Sequence, residues 1–257
     1  MGRAMLVAAA LGMGCAAGCA PTAQRDPRAY FDRGYAAFEQ GRWQAASDDF
    51  TRYLRLDPSS AHRGEVYYYR GLAGVRLGRR AGAKEDFKRA LAAAPEPRIA
   101  AYARAALGNL YYEEGDDANA VAAYAPLVRQ ASGDVPLEKV ILRTAVSLQR
   151  LGKWAMADAY LAYVMQNYSR TPEATEARRR YRVSSFCVQT GAYASVALAR
   201  SEAERLRRAG YAPRVGRVVS GGRPLHTVQV GSAKTYAEAS ALAARLHGAG
   251  FSVLIVP

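Results

Sequence analysis

The chain has 257 residues, with 36 Lys and Arg against 22 Asp and Glu, a formal net charge of +14, and three Cys. Half of it is apolar and under a quarter is charged, which excludes global disorder and allows one large or two modest domains. No apolar run reaches the ~20 residues a membrane-crossing helix needs, and the basic balance points to acidic polymers or anionic surfaces as partners.

The N-terminus comes first. Met1–Arg3 supplies a positive charge, Ala4–Gly14 is a short apolar stretch, and small residues follow, which is the pattern of a secretory signal. Two cysteines stand in Gly14-Cys15-Ala16-Ala17-Gly18-Cys19. A Cys after small residues at the end of such a signal resembles the bacterial lipobox, in which the thiol is acylated and the Cys becomes the mature N-terminus. Ala16-Ala17-Gly18-Cys19 resembles it more closely than Gly12-Met13-Gly14-Cys15, although both lack the usual Leu three places before the Cys. The resemblance implies a signal over 1–18, a lipid anchor on Cys19 (alternatively Cys15) and a short tether over 19–26. With Ala20 rather than Asp after the Cys, it also implies sorting to the outer membrane, facing the periplasm. The competing interpretation is an ordinary signal peptide with an incidental Cys pair. After cleavage Cys187 is the only unmodified thiol, so no internal disulfide framework is expected, and export argues against nucleic acid as a partner.

The next stretch repeats itself every 37 residues. Gly34, Gly71 and Gly108 recur at this spacing and lead to Ala145; Gly41, Gly78, Gly115 and Gly152 keep it; so do Ala46, Ala83, Ala120 and Ala157, and the bulky set Phe50, Phe87, Tyr124 and Leu161. Each unit predicts a pair of antiparallel helices. The first small residue allows close approach, the second Gly caps helix A in a left-handed conformation, and the Ala and bulky residue of helix B fill the contact. Pro58 and Pro95 end helix B.

These units resemble the tetratricopeptide repeat. Tyr30-x-x-Arg33-Gly34 with Ala46-x-x-x-Phe50, Tyr67-x-x-Arg70-Gly71 with Ala83-x-x-x-Phe87, and Leu107-Gly108-x-x-Tyr111 with Ala120-x-x-x-Tyr124 carry the likeness; the fourth copy is degenerate. The usual period is shorter by three residues, so the extra length falls between units. A helix from Glu173 to about Arg182 reads as a cap, giving an all-α solenoid of four helix pairs plus a capping helix over 27–182. Family geometry implies that Phe31, Tyr35, Phe38, Tyr68, Leu72, Tyr112, Leu142 and Val146 line a concave groove for a peptide or protein partner, or else pack on neighbouring helices.

After a junction at 183–185 the pattern changes to strand and helix, self-similar at 40 residues. Val188-Gln189-Thr190-Gly191 matches Val228-Gln229-Val230-Gly231, and Ala209-Gly210-Tyr211 matches Ala249-Gly250-Phe251. Strands are expected at 186–190, 212–219, 225–230 and 252–256, helices at 195–209 and 235–249, and a turn at Ser220–Pro224. The order βαββαβ gives an α+β domain with a four-stranded antiparallel sheet, both helices on one face and the other face open.

Residues 186–257 resemble the SPOR domain, a peptidoglycan-binding module of bacterial division and cell-wall proteins. The carriers are Val188–Tyr193, Val228–Gly231 and the Ala-Gly-aromatic after each helix. By alternation Phe186, Val188, Val228 and Val230 suit the helix side, leaving Cys187, Gln189, Thr227 and Gln229 on the open side. The resemblance implies glycan contacts from Gln189, Tyr193 and Ile255 and a preference for glycan strands stripped of stem peptides, and the strand geometry alone adds Thr227 and Gln229. The sequence departs from the family at Ala192, often Ser, and near Leu225 and Thr227, where an aromatic and an Arg are usual.

Catalysis has little support. His62, His226 and His247 lie in different elements with no pair at metal-binding spacing, there is no GxSxG or GxxxxGK[ST] motif, and Cys187 has no activating neighbour in sequence. The expectation is a non-enzymatic envelope lipoprotein without metal or cofactor. It would bind peptidoglycan glycan strands and hold a protein partner at sites of wall remodelling, most specifically the division septum. The alternative is an envelope-assembly adaptor acting through protein contacts only.

Overall fold

The structure is a computed structural model that describes residues 26–93, 96–129 and 135–257. The signal, Cys15, Cys19 and Pro95 lie outside the described residues. Among the described residues, nine helices fill the first part: α1 (Pro27–Glu39), α2 (Trp43–Leu56), α3 (Arg63–Arg76), α4 (Arg80–Ala92), α5 (Pro97–Glu114), α6 (Asp117–Arg129), α7 (Leu137–Arg150), α8 (Trp154–Asn167) and α9 (Pro172–Arg180). Each helix packs most heavily on its neighbours in sequence. In addition α1, α3, α5 and α7 touch one another in succession while α2, α4, α6 and α8 do not to the same degree, so the odd helices form the inner, concave layer.

The 37-residue signature has a direct physical cause. Gly41, Gly78, Gly115 and Gly152 all stand at φ between 71° and 75°, the left-handed conformation that stops helix A and turns the chain into helix B. At the first small position a Cβ on Gly34 would lie 2.9 Å from the Phe50 ring, on Gly71 2.7 Å from Phe87 and on Gly108 2.5 Å from Tyr124. The fourth pair keeps the combined volume by another route: Ala145 faces Leu161, and both are fully buried. A methyl group enters where the ring leaves, so the apparent degeneracy is a compensated exchange.

Charge follows the repeat as well. Arg70 grips Asp86 through two bonds, Nε to Oδ2 at 2.9 Å and Nη2 to Oδ1 at 2.5 Å, and Arg33 meets Asp49 at the equivalent place. The cap helix α9 opens with Thr171 accepting a hydrogen bond from the Ala174 N–H, and it ends at Arg180, two residues short of the expected Arg182.

The C-terminal part contains β1 (Phe186–Tyr193), α10 (Val196–Arg208), β2 (Pro213–Ser220), β3 (Arg223–Ala233), α11 (Tyr236–Gly248) and β4 (Leu254–Val256). The strands form one antiparallel sheet in the order β2-β3-β1-β4. Gly221 and Gly222, at φ 56° and 75°, close the β2–β3 hairpin with Ser220 opposite Arg223. Val188, Val228 and Val230 join Ala199, Ala203, Leu206 and Leu246 in the core between sheet and helices. Both helices lie on that side, so an α-helical solenoid is followed by an α+β domain with one bare sheet face.

The two parts are not merely tethered. Trp154 of α8 packs on Phe186 at 4.9 Å between ring centres, the two rings tilted by 56°, and donates its indole N–H to the Lys234 carbonyl at 2.8 Å. Arg150 of α7 lies between Tyr112 of α5, 4.8 Å away, and Tyr236 of α11, 5.4 Å away. Lys234 reaches back to the Ser184 carbonyl at 3.2 Å.

Candidate functional site

Two surfaces carry the candidate side chains, and the sheet is the better defined. Strand register assigns each residue to a face, because directly opposed residues point the same way. Gln189 of β1 lies opposite Gln229 of β3 on one side and Leu254 of β4 on the other, and Gln229 lies opposite Arg214 of β2. The row Arg214–Gln229–Gln189–Leu254 therefore crosses all four strands, about 14 Å from edge to edge at ~4.8 Å per strand. Val188 and Val230, next along β1 and β3, are buried against the helices, so this row faces away from them. Arg214 and Leu254 are exposed and the two glutamines are half-buried. The arrangement offers two amides that can both donate and accept, flanked by a cation and an apolar side chain, on a surface without a helix over it.

Three of the five expected glycan contacts are corrected. Ile255 lies opposite Val188 and packs on the core with it, so it faces the helices; its neighbour Leu254, 58% exposed, takes the open position. The run Val253–Val256 is apolar throughout, so alternation in the sequence carried no signal to tell these registers apart. Tyr193 also faces inward. The β1–β3 register shifts between Gln189 and Gly191, one extra residue enters at Thr190, and every later side chain of β1 changes face. Tyr193 consequently packs on the helix-side core, where burial and the Glu202 carboxylate raise its phenol above the ordinary value. Thr227 does face the open side, between Gly216 and Ala192, but it is only 2% exposed and offers a ligand almost no surface. Gln189 and Gln229 stand where the sequence places them. Arg214 and Leu254 were missed, although the pairing of the β2–β3 hairpin about Gly221-Gly222 would have located Arg214.

Cys187 is half-buried on the open face opposite Val256. Burial pushes its thiol up, against a smaller opposing effect of the Arg214 charge, which is the reverse of an activated nucleophile. No group of three or more potential metal ligands occurs among the described residues.

The second surface is the inner layer of the solenoid. Phe31, Tyr35 and Phe38 of α1 meet Tyr68 and Tyr69 of α3 in one aromatic assembly. Tyr69, not singled out by the repeat pattern, is its hub: its ring lies 5.2 Å from Tyr35, 5.6 Å from Phe38 and 6.1 Å from Phe50. Three consecutive tyrosines on a helix must point in three directions, so one of them had to meet α1. Burial raises the Tyr68 phenol to about 12, and Tyr68 extends the assembly to Tyr102 of α5. Beside it, Arg28, Phe31, Asp32, Tyr53, His62 and Glu65 enclose a cavity of about 390 Å³.

Farther along, the expected groove residues part company. Leu72 and Leu142 are half-buried in the helix packing, and Tyr112 is held by Arg143 and Arg150. Val146 is 5% exposed and lines no groove, because α7 is enclosed by α6, α8, α9 and α11. The open aromatic part of the concave layer is therefore its N-terminal half.

Tetratricopeptide repeat families match residues 27–60, 64–97 and 139–171, and the SPOR domain family matches residues 165–257. The chain carries tetratricopeptide repeats followed by a C-terminal SPOR domain, both of them binding domains rather than catalytic ones. The SPOR match begins inside α8, ahead of the first strand. No curated protein matches the chain. Among solved structures, YrrB, described as a tetratricopeptide protein with an unusual peptide-binding site, is 20% identical, covers 61% of this chain and 75% of its own, and superposes with a TM-score of 0.52. A tetratricopeptide protein from Parabacteroides merdae is 14% identical over 61% of this chain and 59% of its own, with a TM-score of 0.53. MamA of AMB-1 is 21% identical over 60% and 78%, with a TM-score of 0.50. At these identities the likeness concerns the fold alone. A SPOR domain points to peptidoglycan binding, and the repeats point to protein–protein interaction.

Proposed function

We propose that the protein is a non-catalytic envelope lipoprotein, anchored through Cys19 to the outer membrane and facing the periplasm. Its SPOR domain binds stem-peptide-free glycan strands of peptidoglycan. Its solenoid holds a protein or peptide partner at sites of wall remodelling or division. The observation that carries the glycan part is the bare face of the sheet, where Gln189 and Gln229 stand side by side between Arg214 and Leu254. Paired amides over a partly apolar floor match the hydroxyl, acetamido and C–H surfaces of a sugar polymer. The N-terminal aromatic assembly supports the partner-binding part, as does the fold shared with YrrB.

Co-sedimentation with purified wall sacculi, before and after amidase treatment, tests the reading. Enrichment on amidase-treated sacculi, reduced by Gln189→Ala, is expected. Retention of a membrane-protein partner with no sedimentation on either sacculus preparation would replace it with an envelope-assembly adaptor.

A further inference from the structure

Resting on the glycan-binding reading of this face, we infer that Arg214 makes the domain selective for strands whose muramic acid lactyl groups end in a free carboxylate. None of the four strands contains an Asp or Glu. The domain's three acids all stand on the helices behind the sheet: Glu202 pairs with Arg205, Glu204 pairs with Arg207, and Glu238 accepts a hydrogen bond from the Lys234 N–H at the start of α11. Arg214 has no carboxylate partner among the described residues. One of its amino groups is held by the Gly231 carbonyl at 2.9 Å, which fixes the guanidinium at the end of the Gln229–Gln189 row while its other N–H groups remain available.

The chemistry of the wall supplies the matching charge. In peptide-bearing glycan the lactyl carbonyl is an amide and neutral. Hydrolysis of that amide bond by an amidase puts the water hydroxyl on the carbonyl carbon and the proton on the departing amine, so each stripped muramic acid gains one carboxylate. Glutamine amides bond to either form of the group. A guanidinium distinguishes them, because it donates only and pairs with a carboxylate through two parallel hydrogen bonds. Selection for stripped strands is thus a charge reading at one end of the row, in addition to any steric exclusion of the peptide.

The test uses the mature protein and its Arg214→Gln variant, with circular dichroism to confirm that both fold. The probes are amidase-stripped glycan strands, the same strands with carboxylates capped as methylamides, and intact sacculi. Capping restores the neutral amide without the bulk of a peptide. Capping should weaken wild-type binding by about fivefold, the scale of one solvent-accessible ion pair. Arg214→Gln should bind stripped strands about fivefold more weakly and be indifferent to capping. Equal wild-type binding to capped and uncapped strands would overturn the role of Arg214 and leave the glycan site standing. Failure to bind either would remove the site itself. Arg214-dependent binding to intact sacculi as strong as to stripped strands would assign the recognised carboxylate to the stem peptide and so also overturn the inference.

Discussion

The contact between solenoid and SPOR domain can be separated from ordinary backbone strain by two glycines in the same conformation. Gly115 and Gly152 end their helices A at φ 75°. A Cβ on Gly115 meets nothing within 4 Å, whereas on Gly152 it would stand 3.1 Å from the Lys234 carbonyl oxygen and 3.2 Å from Cγ2 of Thr235. Replacing either glycine by Ala forces a side chain into the left-handed region, a cost of about 1–2 kcal/mol common to both. Gly152→Ala must in addition push Lys234 away. That carbonyl accepts the Trp154 indole N–H, a bond worth about 0.5–1.5 kcal/mol, and its displacement loosens the tilted Trp154–Phe186 ring contact, worth about as much again. The excess of Gly152→Ala over Gly115→Ala is therefore about 1–3 kcal/mol. Urea denaturation of the two variants measures it, and hydrogen exchange at Lys234–Glu238 shows whether the loss falls at the domain contact. Equal destabilisation, with equal protection of that segment, would refute the view that the contact is a fixed part of the fold.

Four other tests discriminate sharply. Gly71→Ala should overpack the Phe87 contact and cost about 1–3 kcal/mol in denaturant unfolding, and adding Phe87→Leu should recover part of that loss by recreating the Ala145–Leu161 arrangement. Asp86→Ala, which strands a largely buried Arg70, should cost about 2–3 kcal/mol in thermal unfolding, while Asp49→Ala, facing the 53% exposed Arg33, should cost under about 1 kcal/mol. Leu254→Ala should weaken sacculus binding at unchanged stability, whereas Ile255→Ala should lower the unfolding midpoint of the C-terminal domain; the opposite pattern would put β4 in the other register. Because burial raises the Cys187 thiol, less of it is thiolate at pH 8 than for a free cysteine, so site-resolved alkylation should be slow, should accelerate as pH rises, and should be slower still in Arg214→Gln, which removes the charge opposing the shift.

Much of this architecture could be read directly from residue spacing. The positions that set the repeat are the positions that sterics makes least free: a glycine held at positive φ, a small residue under an aromatic ring, an alanine at the helix crossing. Their physical demand is local, so the order of the chain records it. The site was legible only where strand alternation ran undisturbed, as at Gln189 and Gln229. At Tyr193 an extra residue in β1 turns the side chains over, and its cause lies in pairing with β3, far away in sequence. At Ile255 the ambiguity arises from four apolar residues in a row, and pairing with Val188 resolves it. Val146 was misplaced for a further reason: its repeat is the one that the SPOR domain and α9 cover, and a repeat pattern describes each unit as though its neighbours were all alike.

The position of that cover bears on how the two binding surfaces act together. The solenoid meets the SPOR domain at the start of β1, the end of β3 and the first turn of α11, through Phe186, Lys234 and Tyr236. None of the row from Arg214 to Leu254 takes part in these bonds, and the aromatic assembly of α1 and α3 lies at the opposite end of the helix array. Occupying one surface therefore does not obstruct the other. With only residues 181–185 between α9 and β1, and Trp154 and Arg150 holding across the gap, the proposed function would have a partner in the aromatic groove carried at a set distance and angle from a glycan strand on the sheet. A flexible linker would spread the same partner over a volume that grows with its length and dilute its effective concentration at the wall. The docked arrangement would instead confine it, at the cost of fixing which direction along the wall it could reach.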